Sequence, residues 1–230
     1  MAFVLFTGGK DSTYALHVAH ASGYEITGLC CVVPASRDSI LFHYTEPRLF
    51  QLLGRAYSMR VCLVEGVRDD LPSLKEALRE CARELGGEYV VAGALRSSYQ
   101  LMKFSQAALA IGLKIKAPLW LRGGGGYLRE LIECGVRFII TKISTAGMPA
   151  RLLGTPVDLK TAEEIESLSE RWGFDPSFEG GEAETLVLSA PLMRAKLNVR
   201  GYAVAWGERG EFIIEEAWLE EKKAGKGAQV

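Results

Sequence analysis

The sequence predicts an α/β fold, a parallel sheet covered by helices and followed by a smaller α+β domain. Three observations lead there. The chain opens on an apolar run, residues 3–6, that stops at two glycines and passes into a helix-like segment, as a buried parallel strand does when it feeds its crossover helix. Strand-like and helix-like runs then alternate through the first half at crossover spacing. Past four consecutive glycines, residues 123–126, that rhythm gives way to longer strands of alternating polarity.

Taken in order, strands are expected at residues 3–6, 26–33, 60–64 and 89–92. Helices are expected at 12–21, 47–58, 72–85 and 97–111. On such a sheet, ligands sit beyond the carboxyl ends of the strands. Three junctions fall on that edge: residues 7–12, the segment after Val33, and residues 93–98. The glycine run specifies no packing of its own and reads as a flexible turn or hinge, giving domains 1–122 and 123–230. Beyond it, 127–134 reads as a helix, 138–142 as a strand and 161–172 as an amphipathic helix. Residues 197–206 and 212–218, alternating around Gly207-Glu208-Arg209-Gly210, carry a hairpin signature. The end from Lys222 to Val230 reads as frayed.

With 230 residues and 48% hydrophobic content the chain can bury a substantial core. A net charge of −1 and a pI near 6.4 give no footprint for bulk nucleic-acid binding. No apolar run is long enough to span a bilayer and the start carries no signal-peptide pattern, so a cytoplasmic protein is expected. The five cysteines show no CxxC spacing. Cys30, Cys31 and Cys62 fall in apolar runs, where a reduced cysteine behaves as a small hydrophobe. With only three histidines, a zinc site is not expected.

Thr7-Gly8-Gly9-Lys10-Asp11-Ser12 is the segment richest in chemistry. Glycines permit a tight turn and close approach to the backbone, and the following helix points its unpaired N–H groups at the mouth of that turn. Lys10 and the hydroxyls of Thr7 and Ser12 complete a cradle for an anion, phosphate above all. Asp11 or Ser12 is expected to cap the helix; Asp11 alternatively helps place magnesium. The block is not a Walker A loop, since Asp11 stands where Ser or Thr is required. A second cluster, Phe178-Glu179-Gly180-Gly181-Glu182-Ala183-Glu184-Thr185-Leu186-Val187-Leu188, sets three carboxylates around a glycine pair before an apolar strand. If the strand begins near Glu182, Glu182 and Glu184 share a face and can hold a metal ion, orient an amine or attract a cation.

The Thr7–Ser12 block resembles the SGGxDS phosphate loop of the N-type ATP pyrophosphatases, with Thr in place of the first Ser. Together with Gly93-Ala94-Leu95-Arg96-Ser97-Ser98-Tyr99-Gln100, Ala117-Pro118-Leu119-Trp120, Asp38-Ser39-Ile40-Leu41-Phe42-His43 and the 179–188 block, the chain is similar to the diphthine–ammonia ligase family. The motifs occur in family order from the first strand to about Pro191. Ser98 departs from the Asp usual there, and the tetraglycine is atypical.

The resemblance implies a HUP-type, Rossmann-like ATP-binding domain followed by a family-specific substrate domain. It implies amidation of diphthine on translation elongation factor 2, with ATP and ammonium as co-substrates, through an acyl-adenylate intermediate; Mg2+ is the cofactor expected beside ATP. A homodimer is compatible with it. Nucleotide contacts are then expected from Thr7, Gly8, Gly9, Lys10, Asp11, Ser12, Gly93, Ser97, Tyr99 and Gln100, with Asp11 toward the metal. Substrate contacts are expected from His43, Glu179, Gly180, Gly181, Glu182, Glu184 and Thr185. Lys10, Glu182 and Glu184 are the candidate catalytic residues. Two other readings stand beside this one: an RNA-thiolating ATP pyrophosphatase, which reactive cysteine pairs and a basic face would mark, and a nucleotide-binding module without chemistry.

Overall fold

The computed structural model describes residues 1–36, 39–42 and 44–222. The first half forms β1 (Ala2–Leu5), α1 (Lys10–Ala21), β2 (Ile26–Pro34), α2 (Pro47–Tyr57), β3 (Val61–Val67), α3 (Leu71–Leu85), β4 (Tyr89–Val91), α4 (Ser98–Leu109) and β5 (Lys114–Lys116). Its five strands make one sheet in the order β3-β2-β1-β4-β5, parallel at every pairing. The second half supplies α5 (Tyr127–Glu133), β6 (Arg137–Ile143), α6 (Leu159–Trp172), β7 (Ala183–Ser189), β8 (Ala195–Trp206) and β9 (Arg209–Glu221). Its strands form an antiparallel sheet ordered β7-β6-β9-β8.

Strand periodicity divides the parallel sheet between two cores. Ala2, Val4 and Phe6 face one side, with Cys31 and Val33, against α1, α2 and elements of the second half. Phe3, Leu5, Cys30 and Val32 face the other, against α3 and α4. Phe3 and Phe6 are fully buried, each contributing about 1.5–3 kcal/mol. The first core runs without a break into β6, β7, α5 and α6, so the two sheets share one apolar interior.

Local chemistry accounts for the helix ends. The Asp70 carboxylate accepts from Ser73 N at 2.7 Å to start α3, and Asp158 accepts from Thr161 N at 2.8 Å to start α6. At α1 the expected side-chain cap is absent: Gly9 is the N-cap, and Asp11 and Ser12 lie inside the first turn. Both side chains have other partners, described below.

Two further expectations are corrected. Cys30 is not a reduced hydrophobe but is joined to Cys81 of α3 in a disulfide. That helix packs on the Cys30 face of β2 and brings the two Cα atoms to 5.6 Å, within bonding reach. In the glycine run, Gly126 N donates to Glu166 Oε1 at 2.6 Å. Lys222 is held, its Nζ donating to Ala190 O at 2.6 Å; residues 223–230 lie outside the described residues. The short strand β5 was not expected, because Lys114-Ile115-Lys116 carries too few apolar positions to read as one.

Candidate active site

Chain order explains where the site lies. After β1 the chain builds outward through β2 and β3, then returns to the other side of β1 for β4 and β5. The reversal falls between β1 and β4, and the carboxyl ends of those strands open a crevice between their departing loops. Into it come the turn after β1, Ser39–Phe42 after β2, and Ala92, Gly93, Ala94 and Ser97 after β4. They line a cleft of about 850 Å³ closed on its far side by Phe178, Glu179, Gly180, Gly181, Glu184, Trp206 and Glu211. All three expected junctions contribute.

The turn itself is held by a short hydrogen-bond network. Thr7 N donates to Ser12 Oγ at 3.2 Å, the two hydroxyls lie 3.1 Å apart, and Ser12 Oγ donates to Gly9 O at 3.1 Å. Gly8 sits at φ +76, a conformation costly for residues with a Cβ. The second sheet is fastened to the turn through β7: Val187 N donates to Gly8 O at 2.9 Å and Lys10 N to Thr185 Oγ1 at 3.1 Å. Gly93 lies so close to α1 that a Cβ there would stand 2.8 Å from Asp11 C and Ser12 N. The start of α1 is thereby aimed into the cleft, with its positive dipole end toward an incoming anion.

Lys10 is 2% exposed, and its Nζ pairs with Asp11 Oδ2 at 2.8 Å. Tyr127 OH donates to Asp11 Oδ1 at 2.8 Å. The ammonium also lies 5.8 Å from the centroid of the Tyr127 ring and 5.3 Å from that of Phe178, positions at which aromatic faces attract a cation. Phe178 is buried at φ +66, a strained backbone for an aromatic residue, and such strain concentrates at functional sites. Burial and the neighbouring Asp11 carboxylate push the Tyr127 hydroxyl well above the ordinary tyrosine range, so it remains a donor.

The three carboxylates of the second cluster have separate surroundings. Glu179 Oε1 accepts from Arg96 N at 3.0 Å and Ser97 N at 2.8 Å, tying the cluster to the start of α4. Burial raises its pKa, opposed by those two N–H groups. Glu182 precedes β7 and turns away from the cleft, accepting from Asp175 N at 3.1 Å and Gly180 N at 2.8 Å. Glu184, inside β7, pairs with Lys142 Nζ of β6 at 3.0 Å. Glu182 and Glu184 therefore do not act on one face, because the strand starts one residue later than expected. A smaller cavity of about 220 Å³ adjoins the cradle on this side, lined by Lys10, Tyr44, Glu46, Thr185, Phe212 and Ile213 among others. Thr7, Asp11, Lys142, Phe178, Glu184 and Glu211 line both cavities, so the cradle stands where they meet.

The remaining expected residues are less uniform. Ser97 Oγ accepts from Gln100 N at 3.3 Å and caps α4, while Gln100 Nε2 donates to Ile40 O at 3.2 Å across the cleft mouth. Tyr99 is exposed under the Lys103 ammonium and lines neither cavity. His43 and Asp38 lie outside the described residues. Lys142, Glu211 and Tyr127 carry no site expectation from sequence, and Phe178 enters there only as the first residue of the second cluster. Lys142 left a signal, a lone charge inside the apolar run 138–143; the others depend on tertiary contact.

Fold and site together define a class: an α/β protein with a glycine-lined turn and a helix N-terminus at the switch point of a parallel sheet, an arrangement suited to an anion. Comparison with known proteins carries this to a family. Residues 1–115 match the diphthamide synthase N-terminal domain and residues 125–219 the diphthamide synthase C-terminal domain. The diphthine–ammonia ligase of Homo sapiens is 29% identical over 217 residues, spanning 85% of this chain and 81% of that protein. That of Mus musculus is 30% identical over 221 residues, with the same coverage. The enzyme of that name in Schizosaccharomyces pombe is 24% identical over 226 residues, 90% of this chain but 37% of its own length. The chain belongs to the diphthamide synthase family.

Proposed function

We propose that this chain amidates diphthine on translation elongation factor 2, consuming ATP and ammonium and releasing AMP and pyrophosphate. The observation that carries the reading is the cradle at the junction of two cavities, which gives one side to a nucleotide and the other to an acceptor. Family membership supports the same reaction. No helix among the described residues is long and apolar enough to cross a membrane. We take the cytoplasm as its location and the stretches 1–122 and 123–230 as its nucleotide and substrate domains.

A carboxylate resists attack by ammonia because its carbonyl is electron-rich and oxide leaves poorly. In the first step a diphthine carboxylate oxygen attacks the α-phosphorus, the bond to the β-phosphate oxygen breaks, and pyrophosphate departs. The cradle N–H groups, the α1 N-terminus and Lys10 stabilise the leaving charge. Lys10 is held by Asp11 and the two rings until a phosphate competes for it. In the second step ammonia attacks the acyl carbon and AMP leaves. Glu184, facing both cavities, meets the ammonium and accepts its proton. Magnesium arrives with the nucleotide. Among the described residues no three His, Cys, Asp or Glu side chains form a metal-holding group; Asp11 is the carboxylate that would hold a nucleotide-bound magnesium ion, which would offset charge on the phosphates.

The test is AMP formation from ATP, ammonium and diphthine-bearing elongation factor 2, with each omitted in turn. Lys10→Ala should lower AMP formation by about 10²-fold or more. Glu184→Gln should leave ATP affinity intact while amide formation falls. Normal turnover by Lys10→Ala would overturn the assignment of the cradle.

A further inference from the structure

The hairpin β8–β9 carries an exposed apolar face that the chemistry above does not use. Tyr202, Val204 and Trp206 alternate along β8 and therefore share a side. Ile213 lies directly opposite Tyr202 on β9, on that same side. All four are between 37% and 52% exposed. Single exposed apolar residues are ordinary, but an aromatic and aliphatic row on one sheet face is the composition of an interface centre.

The register connects this row to the active site. Glu184 pairs with Lys142, Lys142 with Glu211, and Glu211 with Val204, so these four residues form one line across the sheet on one face. At one end Glu184 borders both cavities; at the other, Val204 sits amid the apolar row. Trp206 lines the larger cavity and Ile213 the smaller. The exposed face is thus the outward continuation of the cleft wall.

We infer that this face is the docking surface for the protein that carries the side chain to be amidated. The inference rests on the reading under Proposed function and deepens it. The two cavities can enclose a nucleotide and a side chain, but not a folded protein. A substrate side chain attached to such a protein brings its surroundings to the mouth, and these must rest on whatever surface borders it. The hairpin offers that surface on the sheet face that bears Glu184. Two strands braced by their own ladder present Tyr and Trp side chains at low entropic cost of immobilisation.

The experiment uses the full chain and a double variant, Tyr202→Thr and Val204→Thr. Neither residue lines a cavity. Threonine keeps the strand propensity while removing the apolar surface. Binding of diphthine-bearing elongation factor 2 is measured directly, without turnover, alongside steady-state amidation, ATP affinity and thermal melting. The expected result is at least a ten-fold weaker affinity and a ten-fold higher KM for the factor. kcat, ATP affinity, melting temperature and turnover of a short diphthine-bearing peptide should be unchanged. Equal affinity for the factor in parent and variant would overturn the inference. So would loss of a dimer in the variant with KM unchanged, which would make the face a contact between copies. A parent that binds the factor through this face but forms no amide would instead overturn the reaction assignment alone.

Discussion

Replacing Gly93 by Ala tests whether the end of β4 and the first turn of α1, proposed to meet the phosphates, are built against each other. The added Cβ would lie 2.8 Å from Asp11 C and Ser12 N and 2.9 Å from Asp11 O, about 0.6 Å inside ordinary contact. All three atoms are backbone at the first turn of α1, so no side chain can rotate out of the way. Either β4 or the helix start must move. Overpacking of this kind costs about 1–3 kcal/mol. For a chain of this size each kcal/mol lowers the melting temperature by about 2–4 °C, so a mid-range cost gives about 4–8 °C. If about 1.4 kcal/mol of that cost falls on the fit of the helix start to the nucleotide, ATP binding should weaken by roughly ten-fold. Calorimetric titration with ATP and a thermal melt read both effects. Gly125→Ala is the control, because a Cβ there meets nothing within 4 Å and its φ is not positive. If Gly93→Ala bound ATP within about two-fold of the parent and melted within about 1 °C, the inferred contact would be wrong.

Three other outcomes follow from particular contacts. The Cys30–Cys81 disulfide closes a loop of 51 residues, and chain entropy assigns such a crosslink about 4 kcal/mol; a Cys81→Ser variant should lose a comparable amount in urea unfolding, and an unchanged midpoint would refute the crosslink. His17 is held below its ordinary pKa of 6.5, chiefly by burial and also by the charges of His20 and Lys222, against the raising effect of the Thr13 carbonyl. Its Nδ1 meets Thr13 O at 2.8 Å and its Nε2 accepts from Leu192 N at 3.1 Å, which only the neutral ring can do. Because the unfolded state binds the proton more tightly, this stability is complete above about pH 6.5 and declines as pH falls below it. His17→Gln should show a shallower decline between about pH 7.5 and pH 5.5, and identical slopes would refute the argument. Glu182→Gln weakens acceptors for Asp175 N and Gly180 N and should lower stability by about 1 kcal/mol with ATP affinity little changed, checked by the same unfolding and titration assays. Loss of ATP binding with stability intact would return Glu182 to the cleft.

Much of the fold was legible because its signals are local. An apolar run ending at Gly8 and Gly9 cannot continue as a strand, and crossover spacing leaves a parallel sheet as the simple arrangement. The α1 cap was misjudged because Asp11 and Ser12 are favourable capping residues whose oxygens found stronger partners at a distance: Tyr127 for Asp11, and Thr7 across the turn for Ser12. Lys114-Ile115-Lys116 escaped notice as a strand because one apolar position at a sheet edge gives no periodicity. Cys30 gave no hint of Cys81, since pairing depends on how helix α3 rotates over β2 and not on spacing along the chain.

The sequence by itself determined the cradle, the parallel order of elements around it and the presence of acidic chemistry near residue 180, because turn geometry, strand periodicity and charge are written in neighbouring residues. Only the tertiary structure decided which carboxylate faces the cavities. Glu184 lies inside β7, paired with Lys142 of β6, whereas Glu182 precedes the strand and is drawn to Asp175 N and Gly180 N, so strand alternation does not reach it. The same holds for Lys10, Asp11, Tyr127 and Phe178, brought together from three distant segments by one shared core. Contacts across such separations follow from how faces pack, which no local pattern encodes.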